Sequence, residues 1–311
     1  NPDIYQAGRI FLPRGTLHIT RTKMLWQGVC YETLSFGNYG LASIDVQFSV
    51  EYSADFADLF EVRGMTRERR GVLHEATLER SRVRFDYTGL DNVVRRTQIE
   101  CSPPPDSLSG YGLMFRYRLE PKEEREFHLT YSCQISDAPV VQVDYSRARA
   151  AAQTALTDQE TPECRIYTSN EQFNEWLARS SSDLHMMFTA TPFGVYPYAG
   201  VPWFSTAFGR DGIITALEYL WINAAIARGV LNFLAALQSR QTDVERDAEP
   251  GKIMHETRRG EMAALGEIPF TLYYGTIDAT PLFVMLAGAY FANTHDLDFV
   301  RSIWPNIDLA L

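Results

Sequence analysis

The sequence has few cysteines and no long hydrophobic run. Its 311 residues include four cysteines, none of which forms a Cys-x-x-Cys pair: Cys30, Cys101, Cys133 and Cys164. Four cysteines in a chain of this length do not make a disulfide framework, so we expect free thiols and a cytoplasmic location. No apolar run reaches the roughly 18 residues of a membrane span, and the start of the sequence lacks a signal-peptide core. We therefore expect no membrane partner.

Basic residues and nucleotide-binding motifs are also scarce. Lys and Arg total 29 against 39 Asp and Glu, which gives a formal net charge of -10. An acidic chain repels phosphate backbones, so a nucleic-acid partner is not expected. The sequence has no phosphate loop, Rossmann fingerprint or nucleophile elbow, and no second His follows His255-Glu256 at zinc-protease spacing. We expect no metal and no cofactor, and these features leave the oligomeric state open.

What is present in the first half is a β-strand pattern. Segments such as "RVRFDYTG" and "LMFRYRLEP" alternate apolar and polar residues, and turn clusters such as "SPPPDSLSG" separate them. Alternation of this kind is typical of antiparallel sheets with one solvated face, and several short strands at this spacing favour a β-sandwich. We predict a β-sandwich domain over residues 1–145.

The pattern then changes to helices. The Ala-rich stretch at 146–165 predicts a helical linker, and residues 166–311 contain about five segments with helical periodicity. Residues 189–209 and 241–279 show little regular pattern, and loops that long are usually functional or disordered. Because these loops are rich in aromatic residues and glycine, we expect them to be functional.

The first long loop ends in an Arg-Asp pair. Trp203 and Phe204 precede Arg210 and Asp211. Aromatic faces pack on the C–H faces of sugar rings, and charged side chains bind sugar hydroxyls. The simpler interpretation is that the aromatic residues are loop core and that Asp211 is a helix N-cap, which is the commoner use of Asp at such a position. Arg210 gains nothing from a positive helix end, so capping does not account for the pair.

The second long loop supplies further candidates. It contains His255, Glu256 and Tyr274, and it ends in Asp278, which precedes another helix. Two loops that each end in an Asp ahead of a buried helix could converge on one pocket.

Four segments resemble bacterial amylo-α-1,6-glucosidases, that is, glycogen-debranching-enzyme-like glycoside hydrolases. They are "DLFEVRGMTRERRG" at 58–71, "WFSTAFGRDGIIT" at 203–215, "EPGKIMHETRRGEMA" at 249–263 and "YYGTIDATPLFV" at 273–284. The resemblance implies an α+β multidomain chain, with an N-terminal antiparallel β-sandwich followed by an (α/α)6-barrel domain. A full barrel has twelve helices, so the barrel at 166–311 is expected to be incomplete.

The resemblance also implies site residues. Arg210 and Asp211 would hold hydroxyls of the non-reducing glucose, and Asp278 would line the same pocket. Glycoside hydrolysis needs a general acid and a base or nucleophile, which the family places in later motifs that do not occur here. No catalytic residue is therefore expected within 1–311. The expected substrate-binding residues are Arg210, Asp211, Trp203, Phe204, His255, Glu256, Tyr274 and Asp278.

Three functions remain open from the sequence. The leading hypothesis is an inverting hydrolase of α-glucosidic bonds, α-1,6 branches in particular, acting on a glycogen-like glucan or an oligosaccharide. The second is a related barrel hydrolase of another small glucoside. The third is a sugar-binding chain without turnover.

Overall fold

The computed structural model describes residues 3–136, 143–157, 164 and 166–311. The chain divides into two compact units. The first comprises Asn1–Ala57 and Gly64–Gln159, and the second comprises Asp58–Arg63 and Glu160–Leu311. The segment Asp58–Arg63 therefore belongs to the second unit, although it lies among the strands of the first in sequence.

Antiparallel strands make up most of the first unit. They are β1 Ile4–Gln6, β2 Arg9–Leu12, β3 Leu17–Trp26, β4 Val29–Asn38, β5 Ile44–Glu51, β6 Val72–Leu73, β7 Thr77–Glu79, β8 Arg82–Thr88, β9 Val94–Ser102, β10 Ser107–Leu108, β11 Gly112–Leu119 and β12 Glu124–Ile135. One sheet has the order β3-β4-β12-β9-β8-β6, with β7 also paired to β8. A second sheet has the order β10-β11-β5, and β1 pairs with β2.

The two larger sheets share one hydrophobic core. Phe36 and Phe127 project into it from the first sheet, and Phe48 and Phe115 project from the second. The rings of Phe48 and Phe127 lie 5.0 Å apart in an edge-to-face arrangement, which is a favourable geometry for aromatic pairs. Two sheets packed face to face on a common core form a β-sandwich, as predicted.

A helix follows the sandwich. Helix α2, Tyr145–Thr157, lies in the region where the sequence predicts a helical linker over 146–165. Ala148 of this helix is buried with Val29 and Tyr31 of β4, so the helix packs on the first unit. Residues 158–163 and 165 of the predicted linker lie outside the described residues.

Helices make up most of the second unit. The long helices are α3 Glu171–Met187, α4 Gly209–Tyr219, α5 Ala224–Ala236, α7 Ala279–Thr294 and α8 Leu297–Ala310. The short ones are α1 Leu59–Val62, α6 Glu261–Ala264 and a 3-10 turn at Pro269–Thr271. Five long helices in the described part of this unit agree with the number expected from the sequence. None of the helices in the described ranges is long and apolar enough to cross a membrane.

A β-hairpin interrupts the first predicted loop. Strands β13, Phe188–Thr191, and β14, Gly194–Pro197, pair with each other. A Cβ atom at Gly229 of α5 would lie 2.3 Å from the carbonyl oxygen of Val195, so the missing side chain lets the hairpin rest directly on α5. Tyr196 is thereby buried in the helical core.

Candidate functional site

The site is built around the N-terminal end of α4. The amide of Gly209 donates a hydrogen bond to the carbonyl of His255 at 2.8 Å. A Cβ atom at Gly209 would lie 2.0 Å from the carbonyl oxygen of Met254, so only glycine fits there. This close approach places Arg210 and Asp211 beside the second predicted loop.

Asp211 does not cap its helix. The N-cap residue of α4 is Phe208, which provides no side-chain hydrogen bond, and Asp211 is the third residue of the helix. The simpler interpretation, that Asp211 is the helix N-cap, is therefore wrong. The helix begins two residues before Asp211 because Gly209 packs against the 254–255 backbone. Oδ2 of Asp211 is buried and accepts no hydrogen bond from any residue that the structure describes.

Arg210 connects the two predicted loops. Its Nε lies 3.7 Å from Oδ2 of Asp211, and its Nη1 donates to Oδ2 of Asp278 at 3.4 Å. The Arg210 side chain is 45% exposed, and the side chains of Asp211 and Asp278 are a little over one third exposed, although Oδ2 of Asp211 itself is buried. The Asp211 and Asp278 segments therefore meet at Arg210, which lies between the two acids.

Asp278 is held as a carboxylate. The hydroxyl of Thr276 donates to its Oδ1. This hydrogen bond and the charge of Arg210 hold the pKa of Asp278 below its ordinary value, although partial burial opposes them. Asp278 is the N-cap residue of α7, but it makes no capping hydrogen bond through its side chain. Its oxygens face Thr276 and Arg210 instead.

Two aromatic side chains nearby remain accessible. Trp203 is 37% exposed and Phe204 is 46% exposed. Phe204 packs edge-to-face on the buried Phe208, with ring centroids 5.8 Å apart. Because Phe208 is the N-cap residue of α4, this contact ties the exposed Phe204 ring to the start of the helix that carries Arg210 and Asp211. Neither ring is simply loop core.

His255 forms part of the wall behind the site. Its ring packs edge-to-face on Phe208 at 5.6 Å and on Tyr273 at 6.1 Å. Its Nδ1 is buried and has no hydrogen-bond partner among the described residues.

Glu256 forms a buried ion pair. Nε of Arg258 donates to Oε2 of Glu256 at 2.7 Å, and the two side chains are only 7% and 10% exposed. The Arg258 guanidinium lies over the rings of Phe60 and Phe208, and its Nη1 donates to the carbonyl of Trp203 at 2.8 Å. Glu256 therefore fixes Arg258, which in turn positions Trp203.

Tyr274 is not brought to the site. It is buried in the helical core, and its hydroxyl donates to the carbonyl of Leu237 at 2.6 Å. The neighbouring Tyr273 donates its hydroxyl to Oδ2 of Asp247 at 2.5 Å.

Sequence reasoning missed three residues that shape the site. Tyr196 donates its hydroxyl to the carbonyl of Phe208 at 2.8 Å, and burial, followed by the charge of Asp211, raises its pKa. Thr276 and Arg258 are the other two. Each lies two residues from the acid it contacts. For Glu256 and Arg258, two residues apart in extended backbone, this spacing puts both side chains on one face. The two-residue spacing of Glu256 and Arg258 is visible in the sequence and could have predicted their contact. No local pattern predicts the contact of Tyr196 with Phe208.

The arrangement can bind a neutral polyol. A guanidinium between two carboxylates offers donors and acceptors to adjacent hydroxyls, and the exposed aromatic faces suit the C–H face of a sugar ring. No group of three or more metal-ligating side chains occurs in the described ranges.

Comparisons with known proteins show what the N-terminal part of the chain and the fold resemble. Residues 1–130 match the family model of the N-terminal domain of (some) glycogen debranching enzymes. None of the curated proteins is significantly similar to the chain. A solved structure described as a kojibiose phosphorylase from human microbiome is 12% identical with a TM-score of 0.53, over 94% of this chain and 42% of that one. A polysaccharide lyase is 13% identical with a TM-score of 0.26, over 39% of this chain and 20% of that one, and this match carries no argument.

These findings bear on the fold and on the predicted family. The chain spans about 42% of the length of the phosphorylase structure, and at this identity the likeness shows the fold alone. It agrees with the predicted fold class, an antiparallel β-sandwich followed by a helical domain. The match of residues 1–130 to the N-terminal domain of (some) glycogen debranching enzymes agrees with the predicted resemblance to glycogen-debranching-enzyme-like glycoside hydrolases.

Proposed function

We propose that this protein is a glycosidase that hydrolyses α-glucosidic bonds, α-1,6 bonds in particular, in glycogen-like glucans or oligosaccharides. Arg210, Asp211 and Asp278 bind hydroxyls of the terminal glucose, and Trp203 and Phe204 pack on sugar rings. The observation that carries this proposal is the position of Arg210. It lies between the carboxylates of Asp211, in the first turn of α4, and Asp278, at the start of α7.

The chemistry of the acids supports binding over proton donation. A general acid needs a raised pKa, and the lowered pKa of Asp278 makes it a poor proton donor. Asp211 contributes a hydrogen-bond acceptor. The proposed mechanism is inverting, with a general acid and a general base about 6.5–9.5 Å apart that are distinct from these two residues.

Two alternatives stand beside this proposal. One is a related barrel enzyme for another small glucoside, because pocket loops set specificity within a fold. The other is a sugar-binding chain without turnover. The similarity to a phosphorylase does not decide between hydrolysis and phosphorolysis, since it shows the fold alone. We also propose a cytoplasmic location, on the basis of the four free cysteines.

The test measures release of glucose from an α-1,6-branched glucan by the full-length protein, with and without inorganic phosphate. We expect phosphate-independent release of glucose, and we expect Arg210→Lys to lower kcat/KM by about tenfold or more. Lys keeps the charge but lacks the planar fork that can span two hydroxyls. Arg179→Lys is the matched control, because Arg179 forms an exposed ion pair with Asp183 of the same unit at 3.1 Å.

The possible results separate the alternatives. Glucose 1-phosphate formed only with phosphate would identify a phosphorylase. Binding without product would identify a sugar-binding protein. Equal kinetics for Arg210→Lys and Arg179→Lys would remove Arg210 from the site.

A further inference from the structure

The first unit carries a groove at one end of the β10-β11-β5 sheet. Its volume is about 730 Å³, which lies within the range of roughly 300–1,000 Å³ for small-ligand sites. All of its lining residues belong to the first unit, so the groove shares no residue with the site around Arg210.

A fixed turn forms one edge of the groove. The Ser109 hydroxyl accepts hydrogen bonds from the amides of Tyr111 and Gly112, both at 3.2 Å. Tyr52 donates its hydroxyl to the Ser109 carbonyl at 2.7 Å and its amide to the Tyr111 carbonyl at 3.0 Å. These hydrogen bonds hold the backbone of this turn, so its shape is set before any ligand binds.

The turn presents one aromatic ring to solvent. Tyr111 is 82% exposed, although aromatic side chains are usually well buried. The ring contributes little to the core at this exposure, so core packing does not explain it.

Polar side chains line the same groove as this ring. Ser107 and Ser49 lie opposite Met114 from its two neighbouring strands, and Glu51 lies opposite Gly112. Because alternate residues of a strand share a face, Ser49 and Glu51 project to the same side. None of the described residues that line the groove is basic. Hydroxyl groups with one carboxylate and no cation suit a neutral polyol and disfavour an anion.

We propose that this groove is a second carbohydrate-binding site, which holds a neutral glucan chain outside the site around Arg210. One sugar ring packs on Tyr111, while Ser49, Ser107 and Glu51 bind its hydroxyls. The choice of a glucan as ligand rests on the proposed function. The existence of the site rests on the groove alone.

Affinity electrophoresis of the full-length protein through gels containing glycogen tests this site. All chains carry Asp211→Asn, so that retardation by the site around Arg210 is reduced. We expect Tyr111→Ala to weaken glycogen binding at least tenfold and Glu51→Gln to weaken it severalfold. Tyr167→Ala is the matched control, because Tyr167 is also 82% exposed and lies in the second unit. Circular dichroism checks that each variant folds.

The outcomes decide the inference independently of the enzymatic proposal. Glycogen retardation that depends on Tyr111 supports the groove, even if the protein hydrolyses no α-glucoside. Equal retardation of Tyr111→Ala and Tyr167→Ala overturns it, as does a parent chain that glycogen does not retard. Hydrolysis of a short oligosaccharide should be unchanged by Tyr111→Ala.

Discussion

Arg258 is the side chain that links the candidate site to the rest of the second unit. It pairs with Glu256, contacts the rings of Phe60 and Phe208, and donates to the carbonyl of Trp203. Removing one member of a buried ion pair leaves the other charge buried without a partner. This destabilises the fold more than replacing both members with apolar residues. The pair therefore makes the 256–258 backbone sensitive to substitution.

We predict that Arg258→Met destabilises the protein by about 3–5 kcal/mol, because the carboxylate of Glu256 is left buried without its cation. Arg259→Met serves as the control. Arg259 is exposed, and surface substitutions usually change stability by about 0.5 kcal/mol or less. Denaturant unfolding of both variants measures the difference, and similar midpoints would mean that the pair carries little stability.

Asp278 gives a second prediction at the residue scale. The pKa of Asp278 is lowered in the folded protein, so its ionised carboxylate stabilises the fold. This stabilisation is fully present above the ordinary Asp pKa of about 3.9, and it is lost as the pH falls through the lowered pKa. Since the Thr276 hydrogen bond is the largest cause, Thr276→Val should raise the pKa of Asp278 toward its ordinary value. Carboxyl-carbon NMR titration measures this shift. Thr257→Val is the control, because the Thr257 hydroxyl donates to the Thr271 carbonyl and not to Asp278. An equal Asp278 pKa in the wild type, Thr276→Val and Thr257→Val would show that Thr276 does not lower it.

At the scale of elements, the sequence predicts the strands better than the loops. In β8 the residues Val83, Phe85 and Tyr87 are buried and their neighbours are not, so the alternation in "RVRFDYTG" maps directly onto one buried face. The β13-β14 hairpin was not predicted. Its strands have four residues each, and Pro192 and Pro197 interrupt any alternation. The hairpin is positioned instead by the absence of a side chain at Gly229, which lets the backbone at Val195 pack directly on α5.

Helix α4 has a similar close approach at Gly212. A Cβ atom there would lie 2.4 Å from the hydroxyl oxygen of Tyr196, so Gly212→Ala should displace the ring that holds the Phe208 carbonyl. We predict that this substitution lowers the free energy of unfolding by about 1–3 kcal/mol, which is typical of overpacking. Gly288→Ala in α7 is the matched control, because nothing lies within 4 Å of the added methyl group. Gly288→Ala should raise the free energy of unfolding by up to about 1 kcal/mol, because Ala has a higher helix propensity than Gly. Thermal unfolding distinguishes the two, and shifts of the same sign would contradict this account of Gly212.

At the scale of the whole molecule, the order of a β-sandwich and a helical domain follows from the sequence, because it depends on local periodicity. Contacts between segments that are distant in the sequence cannot be predicted in this way. The segment Asp58–Arg63 belongs to the second unit, and Phe60 stacks on Phe270 with centroids 5.6 Å apart. The carboxylate of Asp58 accepts from the amide of Met262 at 3.3 Å. No spacing rule connects these residues, so the sequence alone could not place them together.

Phe60→Ala should therefore loosen the second unit. The side chain is buried, and truncation of a buried Phe typically costs about 3–5 kcal/mol. Hydrogen exchange read by mass spectrometry should show faster exchange in peptides covering 254–273, with unchanged exchange in β9 and β12. Phe56→Ala, which removes a ring stacked on Tyr87 of the first unit, should show the reverse pattern. Faster exchange in β9 and β12 alone for Phe60→Ala would contradict the assignment of this segment.

The central claim is that Asp211 and its neighbours bind a sugar. The most direct measurement is calorimetric binding of isomaltotriose to the full-length protein carrying Tyr111→Ala, with and without Asp211→Asn. Asn keeps the shape of Asp but loses charge-assisted hydrogen bonds worth roughly 1.5–3 kcal/mol each. The predicted result is a loss of affinity of about tenfold to over a hundredfold, with a melting temperature lowered no more than in Glu171→Gln. That control removes a charge from the first turn of α3. Unchanged affinity in the Asp211→Asn chain would contradict the claim.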